Sequence, residues 1–162
     1  FMIHRPATAN HKHLRLALAL ARAAARHGEV PVGAVVVHDG KVVGRGRNEI
    51  VSRKDPTAHA EILALRKAAL KLRNERLTGC ILYTTLEPCP MCAGAAVLAR
   101  VSEVVFGAAD PRAGACGSAL DLSRHPKLNH KFAVTGPLMP GECGKLLGDF
   151  FRKKRKQKGR RP

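Results

Sequence analysis

A histidine, a carboxylate and two thiols stand where they could build a hydrolytic metal centre: His59-Ala60-Glu61, then Pro88-Cys89-Pro90-Met91-Cys92. Three nitrogen and sulfur ligands without an obvious fourth describe a tetrahedral zinc with one position kept for water. Glu61 is then the carboxylate left over for moving protons. Cys89 and Cys92, three residues apart, share one face of a helical turn. Pro90 suits the first helical position, where a missing N–H is not needed. The positive end of a helix also lowers a thiol pKa and favours the thiolates a metal wants. His59 and Glu61 diverge by about 200° on a regular helix, so they can flank one cavity only at a helix start. Asp55-Pro56-Thr57 predicts such a start, with Asp55 or Thr57 as its cap. The metal is expected where two helix N-termini converge.

Other readings of the same residues exist. A bare C-x-x-C is often a redox pair or half of a structural zinc site, and a lone histidine is more often an ordinary surface or core residue. A structural site would need a fourth ligand from Cys80, Cys116 or Cys143, and none of these stands at finger-like spacing. The order of the residues, with a proline before the first thiol, favours a catalytic zinc held by His59, Cys89 and Cys92.

The elements that must position these groups alternate in type. A helix rich in Ala and Leu is predicted over 8–27, stopped by Gly28. Val32–Val37 and Val42–Arg47 are β-branched runs around His38-Asp39-Gly40-Lys41, a hairpin pattern. Ala58–Leu72 carries a helical stripe at Ile62, Leu65, Ala69 and Leu72. Cys80–Thr85 reads as a strand, Pro90–Ala99 as a helix and Glu103–Phe106 as a strand. Gly107–Ser118 reads as loop, Phe132–Thr135 as a short last strand and Glu142–Lys156 as a basic helix. Strands interleaved with helices indicate an α/β sandwich with helices on both faces.

Composition narrows the class. A length of 162 residues suits one domain. Five cysteines, an odd number, argue against a disulfide framework and for a reducing compartment. No apolar run approaches the roughly 18 residues that span a bilayer. Phe1, ahead of Met2, is set aside from the fold. Residues 1–28 contain no acid and have the Ala/Leu/Arg composition of a transit peptide, yet they run without a spacer into the hydrophobic segment from Val30. They read as part of the fold, and the protein as cytoplasmic.

The charge is lopsided. Lys and Arg number 29 against 12 Asp and Glu, a net +17 that favours a polyanionic partner. Eight of the basic residues lie in Arg152–Arg161, and setting them aside still leaves the body at +9. A solvated end that aids solubility is the blander reading of the tail; the basic body makes nucleic acid the better one. Aromatic groups for stacking are few: Phe150 and Phe151 adjoin the tail, and Tyr83 lies in an apolar run.

The H-x-E…P-C-x-x-C pattern is the signature of zinc nucleobase deaminases, a resemblance rather than a derivation. From about residue 13 to 155 the chain resembles the bacterial tRNA-specific adenosine deaminases of the TadA type, within the cytidine-deaminase-like superfamily. The likeness is carried by Glu29-Val30-Pro31-Val32-Gly33-Ala34, Asn48, Asp55–Ile62, Thr85–Cys89 and Met91–Ala95. Phe106-Gly107-Ala108, Asp110, Gly117-Ser118, Asp121-Leu122 and Asp149-Phe150-Phe151-Arg152 complete it. The resemblance implies a three-layer α/β/α fold with a five-stranded mixed sheet, a homodimer and one Zn2+ per subunit. It implies hydrolytic deamination of adenosine to inosine at the wobble position of a tRNA anticodon loop, using zinc-activated water with Glu61 as proton shuttle. It further implies that Asn48 contacts the base, that Glu29, Val30 and Pro31 wall the pocket, and that Asp110 contacts the neighbouring nucleotide. Phe151 and Arg152 would hold splayed loop nucleotides. Residues 2–156 are expected to form the deaminase domain and 157–162 a basic, disordered tail. Glu87 is expected to be structural or supporting rather than catalytic.

Three other functions fit part of the pattern. A guanine deaminase shares the Asp-Pro-Thr-Ala-His-Ala-Glu and Glu-Pro-Cys-Pro-Met-Cys segments but needs no basic tail. Cytidine or deoxycytidylate deamination fits less well. A zinc-stabilised RNA-binding module without turnover has no use for Glu61.

Overall fold

A computed structural model describes residues 7–160. Helix α1 (Ala7–Arg26) buries Leu14, Ala17, Leu18 and Ala21, the i, i+3, i+4, i+7 stripe of an amphipathic helix. Gly28, at φ 76°, ends it. Strands β1 (Gly33–His38) and β2 (Lys41–Arg47) form the expected hairpin. Asp39 and Gly40 both take positive φ, 47° and 74°, as a two-residue turn of the primed type requires. A one-turn helix α2 (Ile50–Arg53), which the sequence patterning did not suggest, leads to α3 (Ala60–Leu72). Then follow β3 (Cys80–Leu86), α4 (Pro90–Leu98), β4 (Glu103–Ala108), β5 (Ala133–Thr135) and α5 (Pro140–Lys158).

The five strands order β2-β1-β3-β4-β5. The β1 strand is antiparallel to β2 and β3, whereas β3, β4 and β5 are mutually parallel, so the sheet is mixed. Its two faces are distinct. Ala34 and Val36 of β1 pack with Ala60, Ala64, Ala93 and Val97 of α3 and α4. Val35 and Val37 point the other way, onto Leu14 and Leu18 of α1 and Cys143 of α5. This is the three-layer α/β/α fold, with a central strand apolar on both faces because helices cover both.

Two glycines of β2 set the distance between the sheet and α3. A Cβ on Gly44 would lie 2.2 Å from the Ala64 carbonyl oxygen, and one on Gly46 2.2 Å from that of Ala60. Only a bare backbone lets the helix lie that close, and its first turn carries Glu61. Three elements differ from the sequence reading by two residues at a boundary. Helix α3 starts at Ala60, two residues later than predicted. Strand β4 runs on through Gly107 to Ala108, because Gly107 packs against the Cys143 thiol and the Thr85 carbonyl. Helix α5 begins at Pro140 and continues to Lys158, so Gln157 and Lys158, assigned to a disordered tail, are helical. Arg161 and Pro162 lie outside the described residues, as do Phe1 and Met2.

Candidate active site

The expected convergence of two helix N-termini is present. His59 is the N-cap of α3 and Cys89 the N-cap of α4, both with extended backbone (φ −71°, ψ 150° and φ −69°, ψ 172°). Pro90 occupies the start of α4, and Cys92 lies within its first turn. Cys89 follows directly from β3, whose carboxyl end lies beside that of the parallel β4, Leu86 opposite Ala108. Open α/β sheets place ligand sites outside such carboxyl ends.

The cap of α3 is not the one expected. Asp55 turns its carboxylate onto Thr57, accepting from both its N–H and its hydroxyl at 2.8 and 2.7 Å. The first-turn N–H of Ala60 instead donates to Asn48 Oδ1 at 2.9 Å. A side chain from the end of β2 therefore caps the helix, because Asp55 is already committed to its own tight turn. That bond fixes the Asn48 amide with its NH2 left as a donor beside the cavity.

His59 Nδ1 lies 3.7 Å from Cys89 Sγ and 3.5 Å from Cys92 Sγ, and the three atoms fall within 4.8 Å of one another. A tetrahedral ion with Zn–S near 2.3 Å and Zn–N near 2.0–2.1 Å needs S···N separations of about 3.6 Å. Both sulfur–nitrogen separations match that value, so the three residues fit a zinc ion. The neighbouring Cys92 thiol, opposed by burial and aided by His59, pulls Cys89 down to about 4. Cys92 is pushed up by Cys89 and by burial. His59 is raised by its bond to Cys89, against the effect of burial.

Glu61 is 4% exposed, and burial raises its carboxyl well above the ordinary carboxylate range, only partly offset by its own backbone N–H and by His59. Thr84 Oγ1 lies 3.2 Å from Glu61 Oε1, and Cys92 Sγ 3.6 Å from Oε2. Thr84 was not singled out from the sequence. Its one signal is Thr84-Thr85, a pair of hydroxyls closing an otherwise apolar strand. Glu61, His59 and Cys89 border a cavity of about 230 Å³ lined also by Val30, Val32, Asn48, Ile50, Leu86, Glu87, Asp110 and Ala113, with Cys92 buried behind it. That is below the roughly 300–1,000 Å³ of drug-sized sites, and suits one base rather than a whole nucleotide.

Glu87 organises one wall. Its carboxylate is 2% exposed and accepts from the N–H groups of Cys116 (3.1 Å) and Ser118 (3.0 Å) on one oxygen. The other oxygen takes the Asp110 N–H at 3.0 Å and the Ser118 hydroxyl at 2.5 Å. Burial alone would raise its pKa; the donors from Ser118, Asp110 and Cys116 outweigh burial and lower it. A Cβ at Gly114 would lie 2.3 Å from this carboxyl group, so the glycine admits it.

The remaining sequence candidates separate. Val30 and Asp110 line the cavity; Asp110 also accepts from the N–H groups of Arg112 and Ala113 at 3.0 and 3.2 Å. Glu29 does not line it. Its buried carboxylate accepts from Val51 N–H (3.1 Å) and Ser52 N–H (2.8 Å), clamping the N-terminus of α2 and thereby Ile50. Pro31 is buried behind the wall. Phe151 and Arg152 lie on α5, exposed and away from the cavity lining, with Arg152 ion-paired to Asp149.

Residues 9–155 match the model of the MafB19-like deaminase family. The tRNA-specific adenosine deaminase of Haemophilus influenzae is 47% identical over 148 residues, spanning 91% of this chain and 86% of that protein. The chain belongs to the tRNA-specific adenosine deaminase family. A solved structure from a study of A-to-I editing by tRNA:A34 deaminases at the wobble position superposes on this deaminase with a TM-score of 0.82. It is 42% identical and covers 85% of this chain and 99% of its own. A guanine deaminase from Nitrosomonas europaea also superposes, at TM-score 0.72 and 30% identity, over 85% of this chain and 82% of its own. The deaminase fold thus accommodates more than one base.

Proposed function

We propose that this protein converts adenosine to inosine by hydrolysis at the wobble position of a tRNA anticodon loop. The observation that carries the chemistry is a ligand triad already at zinc-binding spacing with a buried, non-ligating carboxylate on the same cavity. The substrate rests on the family and on the basic surface.

His59, Cys89 and Cys92 would hold one zinc per subunit, which when bound supplies the Lewis acidity that makes hydroxide available near neutral pH. Glu61 does the proton work. It accepts a proton as the water oxygen adds to C6, delivers it to the purine ring, and carries the next to the departing ammonia. Burial raises the Glu61 carboxyl and so favours its protonated form, the form that donates to the ring and the leaving group. Thr84 holds one carboxyl oxygen and leaves the other facing the thiol side. Asn48, fixed by Ala60, offers its NH2 to the base edge. Val30 and Ile50 give apolar walls, and Asp110 stands at the rim for the adjoining nucleotide. Glu29 holds α2 in place behind that wall. An anticodon loop presents an unpaired base, so little unstacking opposes entry into a closed pocket.

Phe151 and Arg152 on α5 are proposed to hold loop nucleotides by stacking and phosphate contact. The apolar hollow of about 610 Å³ over α3 and α4, lined by Ile62, Met91, Leu98, Leu122 and Leu128, is the face offered to a second copy in a homodimer. Five free cysteines suit the cytoplasm, and among the described residues no helix is long and apolar enough to cross a membrane. One catalytic domain from residue 2 to 156 accounts for the site, with α5 continuing past that boundary.

The test is direct. Zinc-loaded protein incubated with an anticodon stem-loop bearing a wobble adenosine should yield inosine, and Glu61→Gln should abolish it with zinc retained. Turnover of free guanine or cytidine without turnover of the RNA would overturn the substrate assignment.

A further inference from the structure

Helix α5 does not end where the domain does. Every residue from Phe151 to Arg160 is exposed, and the helical part of that stretch, to Lys158, is about 12 Å long at helical rise. It carries Arg152, Lys153, Lys154, Arg155, Lys156, Lys158 and Arg160, and no acid follows Asp149. Asp149 itself is held by Lys145 at 2.8 Å and by Arg152. The basic residues fall on all sides of the helix rather than on one face. Arg152–Lys156 and Lys154–Lys158 are like charges one turn apart, as are Arg152–Arg155 and Lys153–Lys156. Such pairs destabilise a free helix. A polyanion laid along the helix would relieve that repulsion and release counterions.

The helix is linked to the pocket wall through the chain after α1, where two residues span at most about 7 Å. Phe150, Lys153, Lys154 and Gln157 border a hollow with Ala25 and Gly28, and Gly28 is two residues from Val30 of the pocket wall. A nucleic acid with one base in the pocket therefore brings its backbone past the root of the arm. Beyond Phe151 no aromatic residue follows, so the arm has charge without a stacking platform. Unpaired nucleotides are held by stacking as well as charge. Paired RNA is held by its phosphates and shape.

We infer that residues Lys153–Arg160 form an arm that tracks the sugar-phosphate backbone of a paired RNA stem beyond the loop whose base is processed. This rests on the RNA reading above and adds a second, duplex-directed contact to it.

The experiment compares two anticodon hairpins with the same loop, one on a stem just long enough to close it and one on a full-length stem. Binding to the zinc-loaded full chain is measured over a salt series, for wild type and for Lys153→Gln/Lys154→Gln/Lys156→Gln/Lys158→Gln. The variant should lose about tenfold or more in affinity for the long hairpin, with its salt slope reduced by up to about 0.9 per lysine, and lose far less for the short one. The matching quadruple Lys→Arg variant should restore long-stem binding. Equal loss on both hairpins, no loss on either, or failure of the arginine variant to restore binding would overturn the arm. Inosine is assayed in the same wild-type samples: stem-dependent binding without inosine would sink the deaminase reading and leave the arm standing.

Discussion

Glu87→Gln isolates what the buried carboxylate does for the substrate wall. In the wild type one oxygen takes two backbone N–H groups, from Cys116 and Ser118, and the other takes the Asp110 N–H and the Ser118 hydroxyl. A glutamine can turn its oxygen to Cys116 and Ser118 and keep that pair. Its NH2 then faces Asp110 and Ser118. The Ser118 hydroxyl can rotate to accept, but the Asp110 N–H cannot, so one donor meets another. A hydrogen bond to a charged group is worth about 1.5–3 kcal/mol, and orphaning the donor costs about 1–3 kcal/mol, part of it relieved as the loop shifts. A destabilisation of about 2–4 kcal/mol follows, or a Tm lowered by about 5–15 °C for a chain of this size.

The loop shift is also a functional event, because Asp110 and Ala113 line the cavity. Deaminase assays on the anticodon stem-loop should show KM raised about tenfold, the worth of one lost contact of roughly 1.4 kcal/mol, with kcat reduced less and zinc content unchanged. The pH dependence provides a further check with a definite sign. The folded pKa of Glu87 is depressed, so its contribution is fully present above the unfolded value of about 4.3 and is lost as pH falls through the folded one. The stability gap between wild type and Glu87→Gln should therefore be widest near pH 7 and close in acid. A gap independent of pH, or an unchanged KM with the gap present, would refute the claim that this charge holds the substrate wall.

Glu29→Gln should act on the opposite wall by loosening α2 and Ile50, raising KM more than it lowers kcat. Zinc content measured alongside should not change, and a loss of zinc would mean the clamp supports the metal instead. Gly46→Ala should destabilise by about 1–3 kcal/mol or more, since its Cβ would lie 2.2 Å from the Ala60 carbonyl oxygen; an unchanged Tm would show that α3 can ride outwards freely. Thr84→Val should leave zinc bound and lower kcat, with the acidic limb of the pH–rate profile shifted upward, because removing a hydroxyl donor from Glu61 raises its carboxyl further. Chelating the metal should lower Tm by an amount that grows with the logarithm of its affinity, checked by restoring Tm with added zinc.

What the sequence made legible was the part with short-range rules. The thiol pair, Pro90 and the i, i+2 separation of His59 and Glu61 were enough to place a metal at two helix starts, because capping and helical period act within a few residues. The hairpin at Asp39-Gly40 and the stop at Gly28 were legible for the same reason. The links that cross the chain were not. Asn48 caps a helix twelve residues away, Glu29 caps one more than twenty away, and Glu87 reaches a loop about thirty residues on. No local pattern distinguishes a carboxylate that contacts substrate from one that binds a distant backbone N–H. Glu29 was accordingly placed in the pocket wall, whereas its charge is spent on α2.

These long-range carboxylates also separate what fixes the cavity walls from what fixes the metal ligands. The ligand triad and Glu61 sit on helix starts pressed against the sheet, where Gly44 and Gly46 leave no slack. They can hardly move without losing the metal. The walls that meet the base hang instead from single buried side chains, Glu29 for Ile50 and Glu87 for Asp110 and Ala113. A chain can re-aim those walls by altering the loop each carboxylate grips, at the cost of a few hydrogen bonds and none of the zinc geometry. Grafting a longer loop after Asp110 while keeping Glu87 should then change base preference before it changes zinc affinity. The opposite order, zinc lost first, would mean that the wall and the metal centre are one cooperative unit.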